Sequence, residues 1–282
     1  MKRVIIKSCC KINLGLRIVN KRSDGFHDIE TIFYPLRLCD IITFEKAEQF
    51  SFSTANTFLQ EEYESNLIVK SVRMLEKLSG KKLNVSIQLE KNIPIGAGLG
   101  GGSSNAAATL LSLNELFLLN IPKTELEKAA LMLGSDVPYF FKITPAYATG
   151  RGEKLTHFDF ELKKHILLIN PGIHVSTKWA YESLSQNFSD TYIWGDVARD
   201  SKCLANMLPG LVNDFESSVF RKHKEIGEIK TSLLRFGASF SLMSGSGSSV
   251  FGLFDDLEQA KYAQAHFMEK YFTYLEEFEK ED

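Results

Sequence analysis

The chain has 282 residues, 44% of them hydrophobic and 24% charged, which is enough to bury a sizeable core without disulfide or metal staples. A formal charge of −2 gives no electrostatic reason to expect nucleic acid or an anionic membrane as a partner. Cys9, Cys10, Cys39 and Cys203 lack the paired CxxC spacing of a zinc site, so the expectation is free thiols in a reducing cytoplasm. The first seven residues carry only Val4, Ile5 and Ile6 between basic residues, which is not the pattern of a signal peptide. Two uncharged stretches, 92–114 and 237–254, hold too much Gly, Ser and Asn to cross a bilayer.

In chain order, Ile12, Leu14, Leu16 and Ile18 alternate with Lys11, Asn13, Gly15 and Arg17, predicting a half-buried strand with Lys11 and Asn13 on its polar face. Ser23-Asp24-Gly25 is a turn, followed by strands over 29–36 and 40–45. Leu67, Ile68, Val72, Leu75 and Leu78 recur at helical spacing up to Gly80, and Val85, Ile87 and Leu89 alternate as a strand. A glycine-rich run at 96–102 precedes a helix over 103–119. Thr124 and Glu127 read as a capping box opening a helix that stops at Gly134, and Ser135-Asp136-Val137-Pro138 starts a further short helix. A turn between strands is expected over 146–154, a strand over 165–169, and a loop or weak helix over 185–201. Helices over 203–207, 211–222 and 224–236 follow, then strands 239–243 and 250–254 around a Gly/Ser loop. A last helix from Leu257 runs into an acidic tail. A division near 155–165 gives domains 1–158 and 159–282.

Five glycines within 96–102, between a strand and a helix, allow positive φ and close approach of backbone N–H groups to a ligand. The following helix N-terminus adds unsatisfied donors and partial positive charge, the ingredients of a phosphate cradle. No Gly-Lys-Ser/Thr makes it a Walker A loop. Gly96, Gly98 and Gly101 fit the Rossmann spacing, but the next acidic residue, Glu115, falls inside the expected helix. His-Arg-Asp and Asp-Phe-Gly, which a protein kinase requires, do not occur.

The run Pro94, Ile95, Gly96, Ala97, Gly98, Leu99, Gly100, Gly101, Gly102, Ser103, Ser104, Asn105 resembles the second motif of the GHMP small-molecule kinases. Lys11-Ile12-Asn13-Leu14 resembles the first motif and Ser244-Gly245-Ser246-Gly247-Ser248-Ser249 the third, in the family's order. Asp24-Gly25-Phe26-His27, Asn66-Leu67-Ile68 and Gly134-Ser135-Asp136-Val137-Pro138 narrow the resemblance to a branch whose acceptor is a cytidine diphosphate-linked methylerythritol. Two departures from it occur, Cys9-Cys10 for Pro-Ala and Phe26-His27 for Tyr-His.

The resemblance implies an α+β, two-domain GHMP kinase fold. Its N-terminal domain would be ribosomal protein S5 domain 2-like and its C-terminal domain ferredoxin-like, with the active site in the cleft between them. It implies an ATP-dependent transfer to the 2-hydroxyl of that acceptor, in the non-mevalonate route to isoprenoid precursors. Homoserine, mevalonate and sugar kinases remain alternatives, as does a nucleotide-binding regulator without turnover. Asp136 corresponds to the proton acceptor, although its sequence also suits a helix N-cap. Lys11 would lie beside the carboxylate and the acceptor, where otherwise it would be a solvated lysine. Pro94 to Ser104 would hold ATP, with Asn66 and Lys91 near the adenine. Asn13, Phe26, His27, Thr177 and Tyr181 would bind the acceptor, Phe26 and Tyr181 sandwiching the cytosine while His27 reads its edge; Trp179 is the competing aromatic. No acidic cluster has metal spacing, so Mg²⁺ is expected to arrive on ATP. Partners beyond small molecules are not implied, and the oligomeric state is left open.

Overall fold

The structure, a computed structural model, describes residues 3–184, 191–198, 200 and 202–279. The chain forms two compact units, neither contiguous in sequence: one from Met1–Cys10, Arg37–Ile95 and Gly100–Ile143, the other from Lys11–Leu36, Gly96–Leu99 and Thr144–Asp282. Two long paired strands contribute to both, β1 (Arg3–Lys21) and β2 (His27–Lys46). The strands expected separately over 29–36 and 40–45 are therefore one, because Arg37, Leu38 and Cys39 continue the extended backbone between them.

In the first unit, β2 pairs antiparallel with β4 (Val85–Glu90), Ile41 opposite Glu90, and β4 pairs parallel with a short strand β3 (Ser51–Thr54). After a short helix α1 (Thr57–Glu61) comes α2 (Leu67–Ser79), which buries Ile68, Val69, Val72 and Leu75 at helical spacing. Helix α3 (Gly101–Leu116) begins two residues before the expected start and packs through small residues, Ala106 and Ala107 being fully buried. Ser71 Oγ reaches the Ala106 carbonyl at 3.4 Å, which only side chains of this size permit. Helix α4 (Lys123–Leu133) follows, but not through the expected capping box: its N-cap is Pro122, with no side-chain capping bond. Thr124 already lies inside the first turn, so its hydroxyl cannot cap it.

In the second unit, Thr31, Ile32 and Phe33 of β2 pair antiparallel with β5 (Ala146–Thr149), which pairs with β6 (Lys154–His157). A separate antiparallel sheet has the order β10-β7-β9-β8, from β7 (His165–Asn170), β8 (Phe240–Met243), β9 (Val250–Phe254) and β10 (Phe272–Glu276). Between β7 and β8 come α5 (Thr177–Glu182), α6 (Lys202–Met207), α7 (Glu216–Lys222) and α8 (Lys224–Arg235); α9 (Leu257–Phe267) joins β9 to β10. That strand order with helices in both crossovers is the ferredoxin-like arrangement. Ile226, Ile229 and Leu233 of α8 and Ala260, Ala263 and Phe267 of α9 share one core with Leu167, Ile169, Val250 and Phe254.

Four further expectations change. The strand over Lys11–Ile18 is buried on both faces, Lys11 being 3% and Asn13 1% exposed, because the polar side chains find partners inside. The helix expected over 211–222 starts only at Glu216; Leu16 and Asn213 form a parallel bridge instead, with Leu16 N–H donating to the Val212 carbonyl at 2.8 Å. The acidic tail contains β10, whose alternation was hidden by its flanking charges. Within 185–201, residues 185–190, 199 and 201 lie outside the described residues; Gly195–Ala198 is a 3-10 turn. Finally, Cys9 and Cys39 are not thiols but a disulfide, their Cα atoms 3.9 Å apart, because β1 and β2 bring them side by side. Protein purified without reductant and then denatured should therefore react with two equivalents of thiol reagent, from Cys10 and Cys203, and with four after reduction. Four before reduction would show the bridge does not form.

Candidate functional site

Residues 96–99 run through the second unit with Gly96 and Gly98 at positive φ, 62° and 77°. A side chain at Gly98 would overlap the Ser244 carbonyl oxygen, so glycine is required there by close backbone approach as well as by φ. Three carbonyls of this stretch are taken by distant segments. Lys11 N–H donates to the Leu99 carbonyl at 3.0 Å, Ser244 Oγ to that of Gly98 at 2.9 Å, and Ser249 N–H to that of Ala97 at 3.2 Å. Asn13 N–H in turn donates to Ser244 Oγ at 3.2 Å. The three motif segments of the sequence are thus hydrogen-bonded to one another. Asn213 Nδ2 holds the serine-rich loop from below, donating to the carbonyls of Met243 (2.7 Å) and Gly245 (2.8 Å), and Asn170 Nδ2 reaches Ser249 Oγ at 3.0 Å.

Residues 100–102 belong to the first unit. Gly100 caps α3 in the left-handed region (φ 70°), with no side-chain cap and no acidic residue in the first turn. That leaves a 16-residue helix with no side-chain cap on its N-terminus, the kind of helix end that suits an anion. Gly101 is explained by packing, since a Cβ would meet Ile93 Cγ2 at 3.0 Å and Lys91 Nζ at 3.2 Å. Beneath it, Lys91 Nζ donates to Asp40 Oδ2 at 2.7 Å and to the Ile93 carbonyl at 2.6 Å. Asp40 is fully buried, and its Oδ1 accepts from the N–H groups of Asn92 and Ile93, each at 2.8 Å. Burial pulls the Lys91 pKa down, against the opposing pull of Asp40. Lys91 is therefore a buried clamp on the lead into the glycine loop. Asn66, expected near adenine, caps α2, its Oδ1 accepting from Ile68 N–H at 2.9 Å.

Asp136 is half-buried, directly before the 3-10 turn Val137–Phe141, and makes no capping hydrogen bond. The competing role as a helix cap is thus not exercised. Lys11 Nζ donates to Asn13 Oδ1 at 2.7 Å and lies 4.8 Å from the Phe33 ring centroid.

Among the aromatic candidates, Tyr181 stacks on His27, centroids 4.9 Å apart and planes 19° apart, and meets Phe215 edge-on. His27 thus presents a face rather than an edge to Tyr181, and burial, with the Lys21 charge, lowers its pKa. Phe26 is 51% exposed beneath the Arg151 guanidinium, 4.5 Å from the ring centroid. Trp179 is covered by Lys222, whose Nζ lies 3.9 Å from its ring. Thr177 Oγ1 lies 3.0 Å from Ser246 Oγ, joining α5 to the serine-rich loop. Sequence reasoning missed Asp40, Asn170 and Asn213, each a polar residue inside or beside an apolar strand or helix pattern. That interruption was the only signal available.

A family model described as GHMP kinases N terminal domain matches residues 66–142, and one described as GHMP kinases C terminal matches 196–272. The chain belongs to the GHMP kinase family. A relative from Chlorobium phaeobacteroides (strain BS1), named 4-diphosphocytidyl-2-C-methyl-D-erythritol kinase, is 41% identical over 281 residues, 98% of each chain. One of the same name from Syntrophus aciditrophicus (strain SB) is 40% identical over 92% of each. The crystal structure of a 4-(cytidine 5'-diphospho)-2C-methyl-D-erythritol kinase superposes with a TM-score of 0.80 at 29% identity, covering 96% of this chain and 98% of that one. Mevalonate kinase from Methanococcus jannaschii shares the fold, with a TM-score of 0.68 at 14% identity. Among the described residues no helix is long and apolar enough to cross a membrane.

Replacing Asp40 by Asn should strand a buried ammonium and cost about 3 kcal/mol. The melting temperature should fall by several degrees, and the KM for ATP should rise because the loop's lead-in loosens. An unchanged melting temperature would show that the clamp contributes nothing.

Proposed function

We propose that this GHMP kinase transfers the γ-phosphoryl group of ATP to the 2-hydroxyl of 4-diphosphocytidyl-2-C-methyl-D-erythritol, giving ADP and the 2-phosphate in non-mevalonate isoprenoid biosynthesis. The observation that carries this reading is identity near 40% over almost the whole chain with relatives bearing that one name. In this reading the phosphates lie on the backbone of Pro94 to Ser104, held by N–H groups because the stretch has no basic side chain. Asn66 and Lys91 border the nucleotide, Asn66 at a helix start and Lys91 beneath the loop. Mg²⁺ arrives on the ATP phosphates and neutralises their charge when bound. The setting is cytoplasmic, and residues 1–158 and 159–282 carry the N- and C-terminal motif sets.

Asp136 takes up the acceptor's proton as the hydroxyl attacks, and Lys11 supplies positive charge to the developing phosphoryl oxygens. Asn13 binds the acceptor beside Lys11, and Phe26, His27, Thr177 and Tyr181 hold its cytidine end. Tyr181 is already ordered by its stack on His27 and its edge contact to Phe215, so little freedom is lost when a base replaces or extends that stack.

The test is ADP release with three acceptors: the cytidine compound, homoserine and mevalonate. Turnover is expected with the first alone, and preference for either of the others would overturn the assignment. Asp136→Asn should cut kcat by about 10²-fold or more. Its melting temperature should change little, since asparagine keeps the side chain's size and an accepting oxygen. A large drop in melting with turnover intact would return Asp136 to a structural role. Phe26→Ala and Tyr181→Ala should each weaken the acceptor by about 1–3 kcal/mol and spare ATP. Phe26→Tyr should be nearly silent. Equal losses for both substrates would move the cytidine pocket elsewhere.

A further inference from the structure

Lys11 and Asn13 sit over two residues of β2 that share one face, Phe33 and Thr31. Thr31 is fully buried and paired in the sheet with Ala148, so it cannot shift. Its Oγ1 lies 2.6 Å from the Gly15 carbonyl oxygen and 2.8 Å from Asn13 Nδ2. The hydroxyl has one proton, and a carbonyl oxygen has none to offer, so that proton goes to Gly15. Toward Asn13 the hydroxyl can then only accept. The Asn13 amide must turn its NH2 to Thr31, which leaves Oδ1 facing Lys11 Nζ at 2.7 Å.

We propose that Thr31 is a positioning residue for phosphoryl transfer: through the chain Gly15–Thr31–Asn13 it fixes the Asn13 amide so that its oxygen holds the Lys11 ammonium in place. Without the hydroxyl the amide is free to flip. A flipped amide presents NH2 to an ammonium, donor against donor, and Lys11 leaves its position. The inference rests on the assignment of Lys11 to the transfer step, so Lys11→Met is measured beside it.

The decisive comparison is Thr31→Ser with Thr31→Ala, two variants that differ by the hydroxyl alone. Thr31→Ser should keep most of the wild-type kcat, and Thr31→Ala should lose about ten-fold while KM for ATP stays within two-fold. In an Asn13→Ala background, the same Thr31→Ala change should have little further effect on kcat, because its route to Lys11 is gone. Equal kcat for Ser and Ala, or losses that multiply in the double variant, would overturn the proposal. If Thr31→Ala folds poorly, the Ser variant decides alone: a kcat far below wild type, with normal melting, would count against the hydroxyl's role. An active Lys11→Met enzyme would instead overturn the Lys11 assignment, which separates that failure from failure of the Thr31 chain.

Discussion

Three consecutive carbonyl groups, those of Ala97, Gly98 and Leu99, determine much of this molecule. Each accepts a hydrogen bond from a residue far away in sequence: Ser249, Ser244 and Lys11. A loop built of glycine has no side chains with which to hold its own shape, and its conformational freedom is expensive to suppress. Here the suppression is done from outside, by strand β1 on one hand and the serine-rich loop on the other. The carbonyls of residues 97–99 are occupied by these distant donors. That arrangement explains how a glycine-rich segment without one basic residue is held in a single shape. It also explains why Ser244 matters although it carries no chemistry of its own.

How much of this was legible in the residues varies with the kind of interaction. Amphipathic helices such as α2 and α8 declare themselves, because a single buried face leaves a 3.6-residue period. The ferredoxin-like sheet was legible up to β10, where charges on either side masked a short alternation. Strand β1 misled in an instructive way. Its polar residues mark a face that is buried against other polar residues, and a period of two cannot distinguish that from a face in water. Capping was misread at Thr124, which lies two residues past the N-cap Pro122, while Asp136 precedes its 3-10 turn without a side-chain capping bond. These are differences of a residue or two in where a helix begins, below what spacing can resolve.

The candidate site divides the same way. The glycine run, Lys11 and Asp136 were visible because their residue types are unusual for their surroundings. Asp40 was not, because one carboxylate in a strand signals nothing until Lys91, Asn92 and Ile93 are seen to converge on it. The Cys9–Cys39 bridge was invisible for the same reason, since it depends on the pairing of two strands and not on any local spacing. A buried ion pair costs desolvation that its attraction only partly offsets, so it is weak support for stability by itself. Its merit here is geometric, since it fixes the backbone immediately ahead of Pro94.

The hairpin of β1 and β2 has a consequence for how the chain can be divided. Each unit takes one end of it, and the second unit also takes residues 96–99 from the middle of the chain. A cut at residue 158 would therefore hand the C-terminal fragment a core whose members Leu16, Ile18 and Ile29 stayed behind. The fragment would also lose the strand that Asn213 bridges. Residues 159–282 are thus not a complete second unit by themselves, whereas every stretch of the first unit lies within residues 1–158. Any fragment meant to keep the second unit whole must carry residues 11–36 with it.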